Sequence, residues 1–254
     1  MPCMQMGHTL LCALGLAGIA LAPPVRADGT LGGSLVLTSD YVYRGLSQTC
    51  GKPAAQADLH YRSGGDRAGP EWFIGGWGSA GLSSGSCAGT DELNLYLGGS
   101  FLVTGNSTAT LTYTHFSFPD NSSIYPEPIT TRYDYDEIEG SWAYHDLLYV
   151  TVAWSPNTLR YTNHIFERDR SALSVGLQAH WPLGRAFTLS GGAGYDEFAD
   201  PYGAGFAFWS AGVGYTLASF QFDVSYFGTA HRAEWLYGPH AAGNRVAGSI
   251  VWRF

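Results

Sequence analysis

Charged and imidazole side chains in this chain recur at alternate positions. Asp58, His60 and Arg62 are spaced by two, and so are Glu137 and Glu139. That spacing puts side chains on one face of an extended strand. Asp40, Arg44, Glu92, His180, Asp223, Arg245 and Arg253 sit in similar settings, with apolar residues at the intervening positions. A face that carries carboxylates and guanidiniums together suits non-covalent chemistry. It filters ions and polar solutes along a wet passage, or its charges pair across the passage and fill it. Acids outnumber bases on this face by six to four with His neutral, which leans toward cations.

Covalent chemistry has weaker support. His115 lies near Ser117 and Asn121, His164 near Glu167 and Asp169, and His231 near Glu234. All three groups fall in or beside loops, where polar residues are expected anyway. There is no nucleophile elbow, HExxH motif or phosphate loop. Asp196, Glu197 and Asp200 could meet a cation, but the glycine and glutamate of an EF-hand loop are missing. The sequence therefore calls for no catalytic residue, metal or cofactor.

The elements that position the charged face are strands. The last ten residues, Arg245 to Phe254, alternate Val246, Gly248, Ile250, Trp252 and Phe254 with Arg245, Ala247, Ser249, Val251 and Arg253. A terminal strand ending in Trp and Phe suits a membrane–water interface better than water. Similar alternation predicts twelve strands, near residues 31–44, 53–62, 71–79, 90–103, 107–117, 132–144, 147–155, 171–181, 186–195, 205–217, 219–227 and 245–254. Those near 71–79, whose faces are ambiguous, and 186–195 are the weakest of the twelve, so ten strands is the alternative. Connections after even-numbered strands are short, including Gly105-Asn106, where both residues tolerate positive φ. Those after odd-numbered strands are longer and more polar.

Composition agrees with this pattern. Of 254 residues 34 are Gly, aromatics make up 15% and charged residues 13%. No segment after the leader approaches the ~18 apolar residues of a membrane helix. Low charge, many rings and many glycines favour an all-β transmembrane antiparallel barrel over a secreted sandwich. Closure is required, because an open sheet edge would leave backbone polar groups in hydrocarbon. The last strand should therefore pair with the first, both termini lying on the periplasmic side. Tyr41, Tyr43 and Trp154 would then sit at the outer interface. Trp142, Tyr144, Trp181, Tyr215, Trp252 and Phe254 would form an inner girdle.

Residues 1–27 read as a signal peptide, with an apolar stretch at Thr9–Ala22 and a small-residue cleavage site at Val25-Arg26-Ala27. Its loss removes one of 13 basic residues and leaves 12 against 21 acids, a net of about −9 that disfavours nucleic acid as a partner. Cys3 and Cys12 leave with it. Cys50 and Cys87 remain in Gly/Ser-rich stretches of an oxidising compartment, which favours a structural disulfide over two free thiols.

The stretch Thr38 to Ala54 (TSDYVYRGLSQTCGKPA), with GGWGS near residue 75 and ELNLYLGG from Glu92, resembles the TorF-type porins, a proteobacterial family. Asp40, Tyr41, Arg44, Gly45, Ser47, Gln48, Lys52, Pro53 and Ala54 carry the match, which is sharpest in the first third. The end of the chain similarly resembles the C-terminal signal of outer-membrane barrels, with Ile250, Trp252 and Phe254 as the residues that the barrel-assembly machinery would read. The resemblance implies an outer-membrane porin.

The expectation is thus a barrel over residues 28–254 in the bacterial outer membrane, passing small solutes or ions. Asp40, Arg44, Asp58, His60, Glu92, Glu137, Glu139, Asp223 and Arg245 would line its pore. Its partners would be outer-membrane lipid, the assembly machinery and the solutes themselves. The alternatives are a barrel with a lipid-modifying or hydrolytic site on its surface, and an adhesin or receptor with a structural lumen.

Overall fold

A computed structural model describes residues 29–64, 69–83, 91–119, 134–162, 165–197 and 205–254. The expected leader and Cys87 lie outside these residues. The strands are β1 (Thr30–Thr38), β2 (Val42–Tyr43), β3 (Leu46–Ser47), β4 (Ala54–Arg62), β5 (Glu71–Gly81), β6 (Glu92–Thr104) and β7 (Ser107–Ser117). They continue with β8 (Tyr135–Tyr144), β9 (Leu148–Thr162), β10 (Ile165–Leu183), β11 (Phe187–Asp196), β12 (Phe206–Leu217), β13 (Phe220–Thr229) and β14 (Arg245–Arg253). One short helix, α1 (His231–Tyr237), precedes β14. β1 and β4 to β14 form one closed antiparallel barrel of twelve strands, and β2–β3 is a separate hairpin.

The barrel is inside-out relative to a water-soluble protein. Leu95 and Val224 are each 58% exposed, whereas Arg62 and Asn94 are 1% exposed. Alternation places Leu93, Leu95 and Leu97 outward and Glu92, Asn94 and Tyr96 inward along β6. Leaving a large apolar side chain in water forfeits roughly 1.5–3 kcal/mol, so a belt of this extent requires a hydrocarbon surround. On β5, Trp72 and Ile74 face outward while Phe73 is buried, which settles the strand whose faces were least regular.

Closure occurs where expected. β14 pairs with β1, with Trp252 opposite Leu35 and Ile250 opposite Leu37. The final residue continues this pairing: Phe254 N–H donates to Gly33 O and Gly33 N–H to Phe254 O, both at 3.1 Å. The start of β1 and the end of β14 therefore lie at one end of the barrel, which also holds the tight turns. Arg253 N–H donates to Ser219 O in the β12–β13 turn at 3.0 Å. Rings cluster at that end: Trp142 on Tyr144, Tyr215 on Phe187 and Phe222, and Trp252 on Phe220 and Phe254.

Gly105 and Asn106 form the expected tight turn between β6 and β7, with neither at positive φ, and the register shifts between Leu102 and Thr104. Two local expectations need correction. In the polar stretch expected as a loop from Pro156 to Arg170, residues 156–162 belong to β9 and 165–170 to β10. The two strands pair there, with register shifts between Glu167 and Ala172. The largest change is at the start of the barrel. β1 ends at Thr38, so Asp40, Tyr41, Tyr43 and Arg44 are not on it.

Candidate functional site: a loop folded into the barrel

Residues 39–53 leave β1 and turn into the lumen. The β2–β3 hairpin pairs Val42 with Ser47 and Tyr43 with Leu46, which leaves Arg44 and Gly45 at the tip. Both tip residues have positive φ, 48° and 80°. Glycine adopts this conformation without strain, whereas arginine needs surroundings that hold it there. Asp40 is the hub at the base. Its carboxylate accepts hydrogen bonds from Ser47 Oγ, from Thr49 Oγ1 at 2.9 Å and from Arg245 Nη1 at 3.1 Å. Tyr41 N–H donates to Thr49 Oγ1 at 3.0 Å. The two legs of the loop are thus tied to each other and to the closing strand.

The tip crosses the barrel. On one side Arg44 Nη2 donates to both carboxylate oxygens of Glu137 on β8, at 2.9 and 2.8 Å, and the guanidinium lies 4.8 Å from the Tyr43 ring centre. Tyr43 meets Phe116 on β7. Tyr41 packs on Trp77 of β5 and donates its hydroxyl to Glu92 Oε2 on β6 at 3.0 Å. Burial, and next the charge of Glu92, push the Tyr41 phenol well above its ordinary pKa, so it remains the donor. On the other side Gly45 lies against β12 and β13. A Cβ there would stand 2.7 Å from Phe208 Cβ and 2.7 Å from Thr229 Cγ2. Leu46 continues this contact into an apolar cluster with Phe206, Phe208, Ala233 of α1 and Ala242. Ser47 N–H donates to Ala241 O at 2.8 Å. α1 and the segment after it therefore brace the loop from the same end of the barrel. A cleft of about 390 Å³ remains where Ser39, Asp40, Cys50 and Gly51 face His240, Asn244 and Arg245.

The other charges expected to line the pore face inward, and all but Glu139, which is half-buried on β8, have hydrogen-bond or ion-pair partners of their own among the described residues. Asp58 accepts from His60 Nδ1 at 2.6 Å and from Tyr96 hydroxyl at 2.5 Å. Glu92 also accepts from Asn94 Nδ2 at 2.7 Å. Asp223 accepts from Gln221 Nε2 at 2.6 Å, and Arg253 Nη2 donates to Gln221 Oε1 at 3.2 Å. Arg62 Nη1 pairs with Glu71 at 2.5 Å. Asp40 meets Arg245 of the closing strand, whereas Arg44 meets Glu137 on the far wall. Tyr41 is buried rather than set at the outer interface, because its ring belongs to the loop. The structural partners Glu71, Asn94, Tyr96 and Gln221 were not singled out, although Asn94 and Tyr96 share the two-residue spacing of Glu92.

Among the described residues the catalytic candidates do not assemble into a nucleophile–base arrangement. His115 Nδ1 lies 2.8 Å from Asp136 Oδ1, and Asp136 is also held by Tyr113 hydroxyl and Asn157 Nδ2. No hydrogen bond joins His115 to Ser117 among the described residues. His231 contacts Glu234 at 3.1 Å on the exposed surface of α1, within a single helical turn. Asn121, His164 and Asp200 lie outside the described residues, and the side chains of Glu167 and Asp169 are not described.

The sequence matches the model of a known family. The chain belongs to the family described as "Bacterial protein of unknown function (Gcw_chp)", whose model covers residues 25–251. A search of curated proteins finds no match. Among solved structures, the chain resembles the COG4313 outer membrane channel from Pseudomonas putida F1 at TM-score 0.55 and 10% identity, over 91% of this chain and 97% of that one. It also resembles the NanC porin, at TM-score 0.51 and 7% identity over 87% and 98%, and the KdgM porin, at 0.50 and 7% over 88% and 99%. At such identities the likeness is one of fold.

Proposed function

We propose that this Gcw_chp barrel is an outer-membrane channel in which small hydrophilic solutes or ions diffuse through the lumen, past a constriction made by residues 39–53. The observation that carries this reading is the Arg44–Glu137 pair: it pins a loop across a barrel whose wall is polar inside and apolar outside. A barrel serving only as a surface scaffold has no need of a polar, internally narrowed lumen. Diffusion needs neither cofactor nor covalent step. The channels and porins of similar fold support the assignment, and so does the resemblance to the TorF-type porins.

The same reading orients the barrel. The end holding both termini and the tight turns faces the periplasm, and the loops with α1 face outside. Residues 1–27 are a cleaved leader. The apolar belt meets outer-membrane lipid, and Ile250, Trp252 and Phe254 present the assembly signal to the barrel-assembly machinery. Cys50 pairs with Cys87, which would tether the base of the constriction loop to the next long loop; that Cys50 is not a free thiol supports this pairing. Asp40, Arg44, Asp58, His60, Glu92, Glu137, Glu139, Asp223 and Arg245 form the charged lining.

The test is conductance of purified, refolded protein in planar bilayers. Discrete channel steps are expected, larger in a variant with residues 41–48 replaced by a short Gly/Ser link. Folded, heat-modifiable barrels that give no steps in either form would overturn the reading.

A further inference from the structure

We infer that the lumen selects cations and that Glu139 is the residue that sets this preference, an inference that rests on the channel reading above. It begins with which lumen charges are already neutralised. Arg44 is spent on Glu137, Arg62 on Glu71 and Arg245 on Asp40. Arg253 lies at the far end, hydrogen-bonded to Gln221 beside Asp223. The guanidiniums that reach the constriction therefore offer an anion nothing. Its carboxylates are not all matched in the same way. Glu92 is held by Tyr41 and Asn94, neutral donors that satisfy its oxygens without cancelling its charge.

Glu139 differs from all of these. It lies two residues along β8 from Glu137, on the same inward face, opposite Thr112 of β7 and Ala153 of β9. It is only half-buried, and it has neither a hydrogen bond nor an ion pair among the described residues. The strand register sets Glu92 on β6 and Glu137 and Glu139 on β8, the two strands that flank β7, so three carboxylates share a wall and Arg44 pairs with one of them. A second observation points the same way. Asn94, at 1% exposure, gives its amide N–H to Glu92 while its Oδ1 has no donor. That leaves one more oxygen of negative partial charge beside Glu92 on this wall.

The position also explains why Glu139 and not Glu137 sets selectivity. Glu137 is covered by the loop tip, and Ser155 Oγ also contacts it, at 3.3 Å. From Glu139 onward the inward face is slim, with Ser141 on β8, Gly176 on β10, Ser190 and Gly192 on β11 and Gly212 on β12, all half-exposed. A wall of such small residues leaves room for a partly hydrated ion beside the Glu139 carboxylate. The solutes favoured are small inorganic and organic cations. An ionised carboxylate that faces a narrow path acts strongly on each passing ion, because little water screens it.

Reversal potentials in a KCl gradient test this. The wild-type channel should prefer K⁺ to Cl⁻. Glu139→Gln should lower that permeability ratio by about fivefold, Glu139→Asp should retain it, and Ser141→Asn should change conductance without changing the ratio. A conducting wild-type channel that prefers Cl⁻, or an unchanged ratio in Glu139→Gln, would overturn this inference and leave the channel reading standing. Absence of any current from folded wild-type barrels would overturn both. If Glu139→Gln does not refold, the wild-type and Glu139→Asp ratios still decide the sign.

Discussion

Arg44 and Glu137 are separated by 93 residues in sequence, yet they meet through two hydrogen bonds of 2.8–2.9 Å with both side chains buried. The pair joins the tip of a loop to the opposite barrel wall. Its net contribution to stability is small while both members are present, because desolvation offsets the attraction. Removing one member is different, since it leaves a buried charge alone. Arg44→Gln should destabilise the folded barrel by about 3 kcal/mol, measured by denaturant unfolding in detergent. It should also raise single-channel conductance and increase cation preference, because Glu137 would lose its counter-charge. The double variant Arg44→Gln/Glu137→Gln should recover most of the stability while keeping the higher conductance. Conductance that stays at the wild-type level in both variants would show that the tip does not set the constriction.

Gly45 gives an uncharged route to the same element. Its φ of 80° suits glycine, and an added methyl would meet Phe208 and Thr229 at 2.7 Å. Both contacts lie close to the backbone, so neither neighbour can swing away. Gly45→Ala should cost about 1–3 kcal/mol and displace the tip toward the β6–β8 wall or out of the lumen. The readout is a change in conductance together with increased protease cleavage within residues 39–53. A variant indistinguishable from wild type in both would show that the tip is not wedged between β12 and β13.

Closure depends on the last residue. Phe254 exchanges two backbone hydrogen bonds with Gly33, and its ring stands where a Gly33 Cβ would fall, at 2.8 Å. Deleting Phe254 removes both bonds and the end of the ring cluster that includes Trp252. The expected result is a smaller folded fraction, read as heat-modifiable migration on gels, with a greater loss in cells than in detergent refolding. An equal loss in both settings would assign the residue to barrel stability alone rather than to assembly.

How much of this was legible in the sequence follows from the kind of physics involved. Period-two alternation reports burial on one face, so the strands, their faces and the pairing of the last strand with the first could all be read from residues such as Leu93, Leu95 and Leu97. The same rule failed at Tyr41 and Tyr43. They continue the alternation of Leu35 and Leu37, but the chain turns at Ser39, and periodicity contains no term for that turn. Arg44-Gly45 was the available signal, since a charge followed by glycine is a poor continuation of a membrane strand. The Arg44–Glu137 pair was not legible, because loop-to-wall contacts depend on where the loop lands. Asp40–Arg245 was within reach, because adjacent strands fix which residues can meet.

The two faces of the wall should respond oppositely to one substitution. Leu177 on β10 is 47% exposed in the apolar belt, while Ser190 on β11 lies on the inward face, opposite His180. An arginine in place of Leu177 must sit in hydrocarbon, at a cost of about 2–4 kcal/mol if it lies near the midplane. An arginine in place of Ser190 enters a wet lumen lined by glycine and serine, where its charge stays solvated. Leu177→Arg should therefore lower the denaturant midpoint while the channels that do form conduct normally. Ser190→Arg should leave the midpoint nearly unchanged, reduce conductance and shift the reversal potential toward Cl⁻. The reverse assignment of effects, with Ser190→Arg unfolding the barrel and Leu177→Arg altering conduction, would mean that the inward face is a packed interior and not a path for ions.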